Sequence, residues 1–277
     1  MAAPVAAPVA ALSATVAGPE HGSGDGRRLV ATPAVKDVRQ TAGYVIPRAE
    51  GMLVHGPIGT GRSTAVKAYL QEQALPWHWL DLSPGLSAKQ LDTRLLRQVA
   101  TDDVDLPQRD VQDDLVDALA AQPRILVIRH AERLTTEAAG ELQWLHDRPD
   151  AAWSLILIGN ETVGTAIHRD PLLANAITGT VRVGPLKDRN LLSTLQSLHP
   201  LFLTADPQLL IRIDDKVCHG NLGHWTRFLD RALALHHQHQ AQHTALPDSL
   251  DNDHPRLDVP LAKATLQALR QLPQPRR

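Results

Sequence analysis

The chain has 277 residues, of which 43% are hydrophobic and 3% aromatic, and a formal net charge of −2. This length supports one α/β core of about 150 to 200 residues plus a small second unit, and it excludes a mini-protein that needs disulfides to fold. The near-neutral charge lacks the basic footprint of an autonomous nucleic-acid binder, so composition gives DNA binding no support.

Cysteine content and hydropathy indicate the cellular compartment in which the protein resides. The single cysteine, Cys218, cannot form an intrachain disulfide, and no apolar run approaches the roughly 18 residues of a membrane-spanning helix. The first 32 residues are rich in Ala, Pro and Gly, lack a basic n-region and contain Pro4 and Pro8. We therefore expect a disordered arm at 1–32, no signal peptide, no membrane contact and a cytoplasmic protein.

Short apolar runs alternate with helical patterns between residues 33 and 186. The predicted strands are 52–55, 77–82, 125–128 and 153–158, and the predicted helices are 62–73, 87–99, 108–121 and 135–146, with Ser87 as an N-cap. Strands separated by helical segments predict right-handed βαβ units and a parallel sheet flanked by helices. The pattern then becomes wholly helical and predicts a small lid domain at 187–238, followed by a polar linker and a short helix at 239–277.

A glycine-rich turn between the first predicted strand and helix carries the clearest motif. Residues 56–63 read GPIGTGRS and match G-x-x-x-x-G-K-[ST] except at the lysine. Glycines let such a loop wrap a phosphate with its N–H groups, and the next helix adds a favourable dipole. We call residues 56–63 the P-loop and predict that it binds ATP or ADP, together with Thr64; its members are Gly56, Pro57, Ile58, Gly59, Thr60, Gly61, Arg62 and Ser63.

Several chemistry-bearing positions depart from an active ATPase. Arg62 replaces the lysine and keeps its charge but not its geometry, whereas Ser63 keeps a hydroxyl for Mg²⁺. Arg129 and His130 follow the 125–128 strand, where one carboxylate should hold the metal and another should activate water. Glu132 is a candidate substitute base, with a solvated glutamate at a helix start as the alternative. Hydrolysis is therefore predicted to be weak or absent.

The chain resembles the AAA+ ATPases that assist DNA transposition, the TniB, TnsC and ExeA-like group. The similarity covers about residues 35–238 and rests on five blocks that occur in the family's order: GPIGTGRST, LVIRHAERLTTEAAGELQWL, LILIGN, VRVGPLKDRNLLSTL and HGNLGHWTRFLDRAL. It implies an AAA+ fold made of an α/β P-loop NTPase core and a C-terminal helical lid.

The resemblance also assigns roles to single residues. Asn160 is implied as the sensor 1 residue that orients water, although an Asn that caps the next helix is the alternative. The family's arginine finger aligns with Ala176, with Arg169 and Arg182 as neighbours. Its sensor 2 arginine aligns with Gly223, and Arg227 follows one helical turn later.

Three functions remain open at the level of sequence. The first is an ATP-binding regulator that self-associates and passes a nucleotide-dependent signal to a protein partner such as a transposase. The second is a nucleotide-free scaffold. The third is an active ATPase that uses Glu132 or a residue of a neighbouring subunit.

Overall fold

The computed structural model describes residues 30–100, 110–243 and 257–271. Residues 1–29 of the predicted arm (1–32) lie outside the described residues. Most of the predicted polar linker also lies outside them, between residues 244 and 256.

Five parallel strands form one sheet. They are β1 (Gly51–His55), β2 (Trp77–Asp81), β3 (Arg124–Arg129), β4 (Trp153–Gly159) and β5 (Ile177–Arg182). Their order across the sheet is β2-β3-β4-β1-β5, so β1 and the loop that follows it lie in the interior of the sheet. Every residue of β4 is buried, as expected of a strand covered on both faces. The predicted parallel sheet is confirmed.

Helices cover both faces of the sheet and continue beyond it. In chain order they are α1 (Pro33–Val45), α2 (Arg62–Leu70), α3 (Ala88–Val99), α4 (Val111–Ala120), α5 (Thr136–His146), α6 (Val163–Ile167), α7 (Pro171–Ala176), α8 (Asp188–Leu198), α9 (Pro200–Leu203), α10 (Pro207–Ile213), α11 (Leu222–His243) and α12 (Val259–Gln271). Helices α1 and α2 pack on one face, and α3, α4, α5 and α7 pack on the other.

Alternate residues of β3 illustrate this division of the core. Ile125 and Val127 belong to the layer under α1 and α2, whereas Leu126 and Ile128 belong to the opposite layer. Side chains of a strand point to opposite faces in turn, so a continuous apolar run is what a doubly covered strand requires.

Element boundaries differ modestly from the expectations. The Ser87 cap is confirmed, since its Oγ accepts a hydrogen bond from the Gln90 N–H at 3.4 Å. Helix α2 ends at Leu70 instead of residue 73 because the chain turns there to enter β2. Helix α1 was not predicted as a separate element.

The lid has its own apolar core, centred on Trp225. The Trp225 ring contacts Phe202 and Phe228 edge-on, with centroid distances of 5.4 and 5.6 Å. Leu257 and Ala262 are buried in the same cluster, so α12 packs against the lid. Helix α11 continues to His243, past the boundary expected at residue 238. None of the helices in the described ranges is long and apolar enough to cross a membrane.

Candidate functional site

The P-loop leaves the carboxyl end of β1 through three glycines with left-handed backbone. Their φ angles are +144° at Gly56, +85° at Gly59 and +94° at Gly61. A Cβ at Gly56 would lie 2.1 Å from the Val183 carbonyl oxygen, and one at Gly59 would lie 2.3 Å from Asn221 Oδ1. Glycine is therefore required here both for conformation and for space.

The remaining P-loop residues divide into anchors and exposed groups. The buried Thr60 hydroxyl donates to the Pro57 carbonyl at 2.9 Å, which closes the loop on itself. Ile58 lies at the tip and is 77% exposed. Ser63 and Thr64 lie in the first turn of α2, where the helix dipole favours an anion.

Arg62 points back towards the sheet. Its Nη1 donates a hydrogen bond to the carbonyl oxygen of Gly159, the last residue of β4. Burial lowers the pKa of the Arg62 guanidinium, and the charges of Glu132 and Glu161 oppose that effect. The negative charges of these two glutamates therefore favour the protonated guanidinium.

Arg129, at the carboxyl end of β3, forms an ion pair with Asp81 at the end of the neighbouring strand β2. Arg129 donates from Nε to Asp81 Oδ1 at 2.6 Å and from Nη2 to Oδ2 at 2.5 Å. Partial burial of Asp81 works against ionisation, but the hydrogen bonds and charge of Arg129 keep its pKa below the usual value. An active ATPase has a carboxylate at the end of this strand to hold the metal, whereas this chain has an arginine in an ion pair.

Glu132 is held in place and is not a solvated side chain. Its side chain is only 16% exposed, and its Oε1 lies 3.4 Å from His130 Nδ1. Its Oε2 accepts a hydrogen bond from the Asn160 N–H at 3.1 Å. The structure therefore links two residues singled out from the sequence, Glu132 after β3 and Asn160 after β4.

The Asn160 side chain makes a local turn. Its Oδ1 accepts from the Thr162 N–H at 2.8 Å and from the Thr162 hydroxyl at 2.7 Å. These contacts form a turn immediately before α6, whose N-cap is Thr162 and not Asn160.

The lid contacts the P-loop directly through the start of α11. Asn221 Nδ2 donates to the Ile58 carbonyl at 2.7 Å, and the Gly223 N–H donates to the Gly59 carbonyl at 2.8 Å. Sequence reasoning missed Asn221, although its place between Gly220 and the helix that starts at Leu222 was a usable signal for a cap.

A cavity of about 420 Å³ opens between the P-loop, the start of α1 and the lid. Its walls are mostly aliphatic and hydroxyl side chains together with loop glycines: Val30, Thr32, Val35, Gly59, Gly61, Arg62, Ser63, Thr64, Ala65, Thr194, Leu198, Leu222, Gly223, Thr226 and Leu229. An apolar cavity that ends on a glycine-rich loop and a helix N-terminus fits a flat apolar group attached to an anion.

The lid position aligned with sensor 2 is enclosed. A Cβ at Gly223 would lie 3.2 Å from both Gly59 Cα and Asn221 Oδ1. A larger residue would therefore push the lid away from the P-loop. Arg227 is exposed and is absent from the residues that line the cavity, whereas Thr226 lines it.

The residues considered for an arginine finger are dispersed. Ala176 ends α7 beside Gly51 at the amino end of β1, far along the strand from the P-loop. Arg182 ends β5 and pairs with Glu161 at 3.4 Å, with its side chain 72% exposed. Arg169 is exposed between α6 and α7.

Comparisons with known proteins agree with this architecture. Residues 48–164, which contain the P-loop, β3 and Asn160, match the family model described as AAA domain. The chain folds as an AAA+ domain. Curated protein sequences give no match.

Solved structures share the AAA+ fold at low sequence identity. The Aeropyrum pernix ORC2 protein, solved in ADPNP-ADP complexes, has a TM-score of 0.61 at 14% identity over 84% of this chain and 66% of its own. The Aeropyrum pernix ORC1 protein in complex with DNA has a TM-score of 0.58 at 11% identity over 87% and 66%. The Thermotoga maritima RuvB Holliday junction branch migration motor has a TM-score of 0.53 at 14% identity over 84% and 69%.

The AAA+ domain described here spans 66% of the length of each of the two ORC proteins. At these identities the likeness concerns the fold, which the sequence predicted as an AAA+ core with a C-terminal helical lid.

Proposed function

We propose that this AAA+ domain binds ATP or ADP and acts as a nucleotide-dependent regulatory or assembly factor with weak or absent hydrolysis. The observation that carries the proposal is the cavity between the P-loop and the lid. Its apolar walls suit a nucleobase, and the loop backbone with the α2 N-terminus suits the phosphates.

The residues at the carboxyl end of β3 support the second part of the proposal, which is weak or absent hydrolysis. Ser63 is suited to Mg²⁺, but the end of β3 offers Arg129, which is already paired with Asp81. A cation near that position opposes a divalent metal, so the site does not fit the usual metal-dependent route. His130 is a poorer water activator beside phosphate than a carboxylate.

The proposal extends to the macromolecules that this protein binds. The resemblance to transposition helpers supports self-association in the cytoplasm and a protein partner such as a transposase. The net charge of −2 gives DNA binding no support. Two of the structural relatives are described with DNA or a Holliday junction, which keeps DNA among the partners to be tested.

The first experiment measures binding of a fluorescent ATP analogue with and without Mg²⁺, followed by phosphate release in the same sample. We expect binding that depends little on Mg²⁺ and no release above the protein-free control. Thr226→Phe, which fills the cavity from the lid, should weaken binding by about tenfold or more. The exposed neighbour Arg227→Phe is the matched control and should leave binding intact.

The other two functions predict different outcomes. A nucleotide-free scaffold would give no binding in a folded protein. Glu132, held by Asn160 and His130, is the observation that favours an active ATPase. Mg²⁺-dependent release that disappears in Glu132→Gln would establish that alternative instead.

A further inference from the structure

The lid touches the backbone of the P-loop at two consecutive peptide units. Asn221 Nδ2 donates to the carbonyl oxygen of Ile58, and the Gly223 N–H donates to the carbonyl oxygen of Gly59, at 2.7 and 2.8 Å. Both bonds are neutral and both end on loop atoms. They fix the start of α11 directly against the loop.

A rigid turn holds Asn221 in position. Asp214 Oδ1 accepts hydrogen bonds from the Gly220 N–H at 2.7 Å and from Trp225 Nε1 at 2.8 Å. Asn221 Oδ1 in turn accepts from the His224 N–H at 3.2 Å, which caps α11 and directs Nδ2 to the loop. The contact is therefore built into the core of the lid through the buried Trp225.

The lid faces the cavity with uncharged groups. Among the described residues that line the cavity, those of the lid are Thr194, Leu198, Leu222, Gly223, Thr226 and Leu229. A terminal phosphate is recognised chiefly by cations and metal ions. In the described part of the cavity wall, the cation is Arg62 of the P-loop, which is engaged by the Gly159 carbonyl, and the lid adds none that would distinguish a triphosphate from a diphosphate.

The two peptide units connect the phosphate side of the loop to the lid. The N–H of Gly59 shares a peptide unit with the Ile58 carbonyl, and the N–H of Thr60 shares one with the Gly59 carbonyl. Donation by these N–H groups to an anion polarises the units and strengthens their carbonyls as acceptors, by about 10 to 30% per bond. Loop N–H groups of this motif face the α- and β-phosphates.

We propose that Asn221 and Gly223 make the lid respond to a diphosphate on the P-loop, whether or not a γ-phosphate is present. ADP and ATP then fix the lid equally, and the switch reports occupancy instead of hydrolysis. This inference rests on the proposed nucleotide binding. Asn221 acts through the loop backbone and is thus a positioning residue.

The test uses the full 277-residue chain and two nucleotides. Dissociation constants for ADP and for a non-hydrolysable ATP analogue are measured, and hydrogen exchange of the peptide that covers residues 219–226 is followed with each. The variant is Asn221→Asp, which keeps the Oδ1 acceptor that caps α11 but replaces the Nδ2 donor by a second acceptor. Asn175→Asp, an exposed position on α7, is the matched control.

We expect the wild-type dissociation constants to agree within about threefold, a difference below about 0.7 kcal/mol. Both nucleotides should slow exchange at 219–226 to the same extent. Asn221→Asp should bind both nucleotides more weakly and by the same factor for each, and binding should no longer slow exchange there, whereas Asn175→Asp should behave like the wild type.

Protection by the ATP analogue alone, or unchanged protection in Asn221→Asp, would overturn the inference while leaving nucleotide binding intact. Failure of the wild-type chain to bind either nucleotide would overturn the proposed function, and this inference with it.

Discussion

Arg129 at the end of β3 and Asp81 at the end of β2 form a two-pronged ion pair across neighbouring strands. The side chains are 36% and 48% exposed, so the pair contributes little to the free energy of unfolding. Its consequence is local. A guanidinium held by a fixed partner occupies the sheet edge where an active AAA+ site needs a free carboxylate for the metal.

The first prediction concerns Arg62→Lys. This change restores the P-loop consensus but leaves Arg129 and His130 in place, so we expect no phosphate release above background. Phosphate release with Mg²⁺ is measured in parallel with binding of a fluorescent ATP analogue, which should persist. Turnover by this single variant would mean that Arg129 and His130 are not the obstacle to hydrolysis.

Much of the fold could be predicted because the buried strands are continuous apolar runs. Strands β3 and β4 were placed within a residue or two, and the P-loop was located from its glycines. Helix α1 was not predicted, although Thr32 caps it and Pro33 opens it.

The site was less predictable because its decisive contacts join residues far apart in sequence. The partners of Arg129 and of Ile58, namely Asp81 and Asn221, lie 48 and 163 residues away along the chain. No local pattern encodes such pairs. For Glu132 the sequence alone leaves a solvated glutamate at a helix start as the alternative, because the Asn160 N–H that binds its carboxylate comes from the end of another strand.

The second prediction concerns a buried carboxyl group outside the site. Asp92 on α3 is 6% exposed, and its Oδ1 has no hydrogen-bond partner among the described residues. Burial, assisted by Glu141 and Asp110, raises the pKa of Asp92 to about 6. Because the folded-state pKa lies above the unfolded one, this group costs stability at neutral pH and ceases to do so in acid.

We therefore expect Asp92→Asn to raise the free energy of unfolding by about 3 kcal/mol at pH 7.5. The gain should shrink as the pH falls through about 6 and vanish once the pH is below the unfolded pKa of 3.8. Urea unfolding at several pH values measures it. The control is Asp117→Asn, exposed on α4, and an equal gain at every pH would contradict the assignment.

The third prediction concerns the buried arginine that begins β3. Arg124 is 3% exposed and donates to the Ala118 carbonyl at 2.6 Å and to the Val99 carbonyl at 3.4 Å. It thus satisfies carbonyls near the ends of α3 and α4, where helix dipoles favour a cation. Burial lowers the pKa of Arg124.

Arg124→Ala should lower the free energy of unfolding by about 3 kcal/mol, because buried carbonyls lose a charged donor and a cavity opens. Arg97→Ala, at an exposed position on α3, should change it by less than about 0.5 kcal/mol. Urea unfolding with both variants provides the comparison. If the two variants lowered the free energy of unfolding equally, the buried hydrogen bonds of Arg124 would not contribute to stability.

The last prediction separates backbone strain from the contact between lid and loop. Gly59 and Gly85 both have left-handed backbone, with φ of +85° and +69°. An added Cβ at Gly85 meets nothing within 4 Å, whereas at Gly59 it would overlap Asn221.

Each alanine variant should carry about 1 to 2 kcal/mol of strain. Only Gly59→Ala should also displace the lid and weaken nucleotide binding, by about tenfold or more. Thermal unfolding measures the strain and fluorescence titration measures the binding. If Gly59→Ala bound nucleotide as well as Gly85→Ala does, the lid and the P-loop would not form one site, because the overlap with Asn221 would then be relieved without consequence for the ligand.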